Sequence, residues 1–241
     1  RRVEITTQLG LHRVRSWTTH RESDVGYDVR LDTTSGSYVP RSIGMSWRIY
    51  PWLQTRANWG RYVRIPNLFE LFGDRGGTIG NDKLQPESGT NRDIGIRITG
   101  DVKPIGAEEG VLEVVYFDNQ VKDAIVFWEV YNRVRPFNMG ATHVYGVELH
   151  GGAKFSEGLS LSGNVVMQRP KNTSTAIDSL YYGSDLPHQP RWQLELRPEY
   201  NRGRIGVFSV VHGRGRYYRQ PLNRHADRID AIWVFDIGVR V

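Results

Sequence analysis

Cysteine is missing from all 241 residues, which excludes disulfides and thiolate metal sites. Long apolar runs are missing too: no stretch approaches the roughly 18 residues that a membrane-spanning helix needs. That leaves a membrane barrel open, because its strands are apolar only at every second position. Signs of catalysis are equally scarce. The seven histidines (His12, His20, His143, His150, His188, His212 and His225) show no ligand spacing of the H-E-x-x-H kind. His143 and His150 have opposite parity on one expected strand and so point to opposite faces. Gly73-Asp74-Arg75-Gly76-Gly77 lacks the Gly-Lys-Ser/Thr ending of a phosphate loop. The chain does not read as an enzyme, and no catalytic residue, metal or cofactor is expected.

What is present is alternation of period two. In Arg191–Tyr200, Trp192, Leu194, Leu196, Pro198 and Tyr200 share one face, and Arg191, Gln193, Glu195, Arg197 and Glu199 the other. Such a stretch is a strand with one apolar and one polar side. Similar runs cover Pro40–Tyr50, Leu53–Val63, Asn91–Thr99, Tyr145–Leu149, Leu159–Met167, Ile205–Val211 and Trp233–Val239. A first strand is expected from about Arg2 to Trp17, and Gly110–Phe127 alternates poorly, which predicts a bulge or contacts on both faces.

Tight turns at Pro51-Trp52, Lys103–Gly106, Ser156–Gly158 and Asn201–Gly203 alternate with loops at Thr33–Gly36, Arg64–Pro86, Trp128–Gly140, Pro170–Pro190 and Pro221–Arg224. That rhythm suits an antiparallel transmembrane β-barrel with short periplasmic turns and long extracellular loops. Mid-strand positions of the apolar faces are nearly free of charge. Exceptions such as Arg61, Arg169 and Arg219 lie beside long loops, at interface level. Trp47, Tyr50, Trp52, Trp59, Tyr62, Tyr217 and Tyr218 fall near strand ends, the level that amphipathic rings favour.

The formal net charge is +6. A nucleic-acid reader gathers its basic residues on one patch; here the arginines are dispersed through almost every strand and loop. They fit a solvated barrel wall and loops that meet anionic lipopolysaccharide or an anionic ligand, with no nucleic-acid partner.

One segment carries more information. Arg64–Ile96 reads RIPNLFELFGDRGGTIGNDKLQPESGTNRDIGI. It resembles a loop-to-strand passage of the TonB-dependent outer-membrane receptors, R-x-P-x-x-x-E-L-(F/Y)…G-N-x-x-L-x-P-E. The matching residues are Arg64, Pro66, Asn67, Glu70, Leu71, Phe72, Gly80, Asn81, Leu84, Pro86 and Glu87. Tyr116-Phe117 with Ile125, Asn138–Ala141, Gly146–Leu149 and Leu186-Pro187 to Pro190 resemble later pieces of the same family in the same order. The likeness extends over roughly two-thirds of the chain. By local physics Pro66 and Pro86 bracket a loop, and Glu70 and Glu87 suit pairing with loop amides, Arg64 or Arg75. The expected role of these residues is to hold the loop without touching a ligand.

The resemblance implies a barrel of about 22 strands filled by an N-terminal plug. It would be energised through TonB and import a scarce nutrient such as a ferric siderophore or cobalamin across the bacterial outer membrane. Residues 1–241 then read as a partial barrel domain of about ten strands, without the plug or the final strands. Its partners would be membrane lipid, lipopolysaccharide, a small ligand such as a metal chelate, and TonB through the plug region. Ligand contacts are expected on the loops, where Trp128, Tyr131, Arg133, Tyr181, Tyr182 and Arg224 offer aromatic surface or positive charge. The alternatives are a self-contained outer-membrane barrel of about ten strands, porin-like or hydrolytic, and a soluble all-β binding domain.

Overall fold

The computed structural model describes residues 2–9, 12–21, 29–74, 76–102, 106–130, 132–174 and 181–241, with the backbone alone for 7–9, 12–21, 29–38 and 102. Four strands come first: β1 (Arg2–Leu9), β2 (His12–Arg21), β3 (Val29–Tyr38) and β4 (Arg41–Tyr50). Then follow β5 (Leu53–Arg64), the short helix α1 (Leu68–Phe72), β6 (Glu87–Val102), β7 (Ala107–Val130), β8 (Arg133–Phe155) and β9 (Leu159–Asn172). The last strands are β10 (Trp192–Arg202), β11 (Ile205–Arg214), β12 (Tyr217–Tyr218), β13 (Arg228–Ile229) and β14 (Ile232–Arg240). Among the described residues no helix is long and apolar enough to cross a membrane.

Ten strands make one antiparallel sheet in the order β1-β4-β5-β6-β7-β8-β9-β10-β11-β14, with β1 and β14 at its two ends and no ladder between them. This is the expected all-β class and strand number, as an unclosed sheet. Separate two-stranded ladders join β2 to β3 and β12 to β13. The β2–β3 ladder continues the β1–β4 register without a slip. Leu9 pairs with Arg41, and three residues further on His12 pairs with Tyr38.

Because the ladders keep register, the faces can be traced across strands. One outward row runs Ile5, Met45, Ala57, Ile94, Tyr116, Val147, Met167, Trp192, and every member is apolar. Another runs Leu53, Ile98, Leu112, Gly151, Gly163, Leu196, Val211, Phe235. These side chains are exposed to an unusual degree, with Ile94 at 58% and Met167 at 61% on interior strands, as a face that meets lipid requires. Aromatic pairs frame it: Tyr50 stacks on Trp52 at 5.4 Å, and Trp192 meets Trp233 at 5.5 Å.

The other face is polar. Arg56 reaches Glu113 at 2.9 Å and Asn58 donates to Asp93 at 2.8 Å. Arg56 is on β5 and Glu113 on β7, so the arginine must cross β6. Gly95 lies opposite it, where a Cβ would stand 3.1 Å from Val115 Cγ2 and 3.3 Å from Arg56 Nε. The missing side chain leaves the guanidinium its path.

Two expectations are corrected. Thr33–Gly36 is not a loop but part of β3. Trp128–Gly140 is not a long loop either, since β7 and β8 run for 24 and 23 residues and pair out to Val130↔Arg133. A membrane crossing uses about 9–11 residues, so this hairpin stands far above the apolar belt. There its outward positions become Asp118, Gln120 and Lys122, and pairing rather than alternation maintains the strands. The weak alternation of Gly110–Phe127 comes from contacts on both faces, with Val115 buried on the polar side; the register shift of that hairpin is at Ala107/Glu109. The expected turn over 103–105 lies outside the described residues.

Parity makes a direct prediction. Ile96→Arg puts a charge in the middle of an apolar row and should destabilise the lipid-embedded protein by about 2–4 kcal/mol, measured by urea unfolding in vesicles. Its neighbour Arg97, on the polar face, should be replaceable by Gln at little cost.

Candidate functional site

The segment with the family-like pattern leaves β5 at Arg64, forms α1 and returns to β6 at Glu87. Asn67 caps α1: its Oδ1 accepts from the Glu70 N–H at 2.9 Å, and its own N–H donates to Glu70 Oε2 at 2.8 Å. This reciprocal box satisfies two amides that the helix start leaves over. Glu70 is also buried and takes the Arg64 guanidinium on both oxygens, at 2.9 and 3.0 Å. The second Arg64 nitrogen donates to Glu87 Oε2 at 3.1 Å, and that oxygen accepts the Ile125 N–H of β7 at 3.0 Å. One guanidinium therefore ties β5, α1, β6 and, through Glu87, the tall hairpin. A planar fork suits this geometry, as an ammonium would not.

The rest of the segment is fastened to β8. Asn81 Nδ2 donates to the Pro136 carbonyl at 2.9 Å, and the Asn81 N–H to the Glu70 carbonyl at 2.9 Å. Gln85 and Asn138 exchange two bonds of 2.8 Å, and Ile79 and Gly77 bond Val134 from either side. Leu84 is buried. Gly80 has no room for a side chain, since a Cβ would overlap the Leu71 carbonyl and the Phe72 backbone. Pro66 is buried before the cap, Pro86 half-buried before β6, and Leu71 half-buried, while Phe72 stays exposed. Arg75 lies outside the described residues.

Of the six loop residues read as ligand contacts, the structure brings two together. Trp128 meets the edge of Tyr181 at 5.6 Å and packs against Phe137 at 5.2 Å. Arg135, opposite Trp128 in the ladder, holds its guanidinium 5.4 Å from the Phe137 ring. Trp128 Nε1 and Arg135 Nε are buried without a hydrogen-bond partner. Arg135 and Phe137 carry no signal in the sequence alone; the pairing of β7 with β8 brings them to Trp128. Arg133 is exposed at the start of β8 and Tyr182 is exposed beside Tyr181. Arg224 belongs to another loop, where its carbonyl accepts the Asp227 N–H at 3.0 Å. Tyr131 lies outside the described residues.

That neighbouring loop is fixed by a second knot. Buried Asp185 receives Lys171 at 2.8 Å and Arg191 at 2.9 Å, and Asn223 bonds both its amide and its carbonyl. Among the described residues no group of three or more His, Asp or Glu side chains could hold a metal ion. A concavity of about 880 Å³ lies among Leu112, Leu149, Leu161 and Leu196, at the level of the apolar rows and away from the long loops.

The family described as "TonB dependent receptor-like, beta-barrel" matches residues 8–241. The chain belongs to this family of bacterial outer-membrane receptors. No curated protein matches the sequence. Among solved structures the fold is similar to that of a copper transporter, OprC, with TM-score 0.76 and 18% identity over 99% of this chain and 37% of that one. It is also similar to the ferric yersiniabactin uptake receptor FyuA of Yersinia pestis (0.72, 18%, 99% and 35%). A third likeness is to the siderophore receptor PiuA of Acinetobacter baumannii (0.72, 16%, 98% and 34%). The chain thus spans 34% to 37% of the length of these structures.

The Arg64 knot has a pH signature. Tyr62 stands above the apolar belt, its hydroxyl 3.4 Å from Glu87, and burial together with that carboxylate pushes its phenol up from 10.0 to about 12. A pKa raised on folding gives stability that is complete below the unfolded value and lost as pH climbs through the folded one. Stability should therefore fall between about pH 10 and 12, and Tyr62→Phe should flatten that fall in urea titrations. Arg64→Ala should cost about 2–3 kcal/mol by stranding buried Glu70, with Arg64→Lys recovering part of it. Faster hydrogen exchange at the Ile125 amide would report the same loss.

Proposed function

We propose that this chain forms part of the wall and the long extracellular loops of an outer-membrane active importer for a scarce nutrient, a ferric siderophore, cobalamin or a similar chelate. The observation that carries this reading is the ten-stranded sheet, whose outward rows are apolar and whose inner face is polar. Such a wall separates lipid from a solvated lumen. Family membership supports it, as do fold-level likenesses to proteins named for copper, yersiniabactin and siderophore uptake. Energy would come from TonB through a plug region not among these residues, and membrane lipid and lipopolysaccharide would surround the wall. Nothing in the reading asks for catalysis. The open ends β1 and β14 favour a larger barrel over a self-contained one of ten strands.

Ligand would be met at the extracellular end, where Trp128 and Phe137 of the tall hairpin and Tyr181 of the neighbouring loop form an aromatic wall beside Arg135, with Arg133 at the start of the same strand. Tyr131, Tyr182 and Arg224 complete the candidate set. Replacing Arg133, Tyr181 and Tyr182 together with Ala should weaken binding of a transported ferric chelate about tenfold or more, each decade being about 1.4 kcal/mol. Fluorescence quenching on the complete receptor would measure it, and unchanged affinity would remove these three residues from the site.

A further inference from the structure

The turn that carries Tyr181 is fastened first to the strands that flank it. The Gly183 N–H donates to the Asn172 carbonyl at 2.8 Å, Lys171 Nζ to the Gly183 carbonyl at 2.8 Å, and the Leu186 N–H to the Pro170 carbonyl at 3.0 Å. Buried Asp185 adds its ion pairs with Lys171 and Arg191. A separate tie runs to the loop between β12 and β13, which carries Arg224. It is the side chain of Asn223.

Asn223 Oδ1 accepts the Asp185 N–H at 2.6 Å, and its Nδ2 donates to the Asp185 carbonyl at 3.0 Å. One side-chain amide thus takes both backbone groups of residue 185, as a neighbouring strand would. Nδ2 also donates to the Gln220 and Pro221 carbonyls of its own turn, at 3.3 Å each. The backbone at Asn223 has φ +51°, a left-handed conformation that asparagine adopts more readily than most other residues with a side chain. Every property of the residue is used. Aspartate has the acceptor but no donor, and glycine suits the φ but has no side chain.

The two ends of this tie are candidate ligand loops. The Tyr181 ring meets Trp128 of the tall hairpin at 5.6 Å, and the Tyr181 carbonyl accepts from the Ser184 N–H at 3.0 Å and the Ser184 hydroxyl at 2.6 Å. Asp185 follows Ser184, and Arg224 follows Asn223. A line of contacts therefore runs from Trp128 through Tyr181, Ser184 and Asp185 to Asn223 and Arg224. A further bond between the same two loop regions, from the His188 N–H to the Tyr218 carbonyl at 2.8 Å, lies outside the Asn223 turn.

We infer that Asn223 is a positioning residue that couples the loop bearing Tyr181 and Tyr182 to the loop bearing Arg224, so that these residues form one preset surface. The inference deepens the ligand-loop reading above and rests on it for its purpose. Ordering two independent loops costs free energy on binding, and a surface joined beforehand avoids that cost.

Spin labels test the coupling in the complete receptor with no ligand present. They are attached through Tyr182→Cys and His225→Cys, in a chain that has no cysteine of its own. Pulsed electron paramagnetic resonance should give one narrow distance distribution when Asn223 is intact. Asn223→Gly, which tolerates the φ, should lose the narrow distribution and speed hydrogen exchange at the Asp185 amide about tenfold. Asn223→Asp keeps the acceptor, so it should protect that amide while still broadening the distribution. The His188 amide should stay protected in both variants. An unchanged distribution in N223G overturns the inference. So does loss of protection at His188 together with Asp185, because the residue would then hold the whole region together rather than couple two loops. Should N223G fail to assemble, N223D decides: a distribution as narrow as that of the parent overturns the coupling, and a broad one supports it. The labels report on the loops alone. A confirmed coupling, with affinity unchanged on replacing Arg133, Tyr181 and Tyr182, would therefore remove the ligand-loop reading and leave the coupling standing.

Discussion

A chain that crosses a bilayer as strands has no water to satisfy its amides, so every one must find a neighbouring strand. Everything else in this structure depends on that pairing. A slip of one residue would turn a whole strand inside out, so the ladders hold register across the belt. Their shifts fall at Arg48/Tyr50, Gly100/Val102 and Ala107/Glu109, beside the short turns. The outward rows can be read from β1 to β14 because of this continuity, and so can the corner where lipid gives way to charge.

Beyond the belt the constraint relaxes, and the structure replaces it with specific fastening. The segment between β5 and β6 is too long to be held by its ends, and it has almost no core of its own. It borrows order from the tall β7–β8 hairpin through Glu87 on Ile125, Asn81 on Pro136, Gln85 on Asn138 and the Val134 bridge. The hairpin in turn gains a covered edge. Arg64 is central because it joins two carboxylates from different elements, Glu70 of α1 and Glu87 of β6.

The sequence made the belt legible for the same reason that the belt is regular. In Trp192–Arg202, Glu87–Val102 and Ile232–Arg240, lipid on one side and water on the other force period-two alternation. Where both faces meet water or loops, that signal disappears although the strand persists, which is why Trp128–Gly140 reads as a loop. The loop motif was legible only through resemblance. Its partners Ile125, Pro136 and Asn138 lie 38 to 55 residues away from Glu87, Asn81 and Gln85, beyond any local pattern. Arg135 and Phe137 join Trp128 through ladder pairing, which no local pattern displays.

The dispersed arginines, uninformative as a composition, separate once the faces are assigned. On the inner face four are answered along the wall: Arg56 and Arg97 share Glu113, and Arg197 and Arg240 share Glu199. In the loops they act as clamps, Arg64 between two glutamates and Arg191 on Asp185. At the edge of lipid Arg41 and Arg61 oppose each other in the ladder, as Arg2 and Arg48 do on the polar face. The same residue type thus serves the lumen, the loops and the membrane edge, and the strand register decides which.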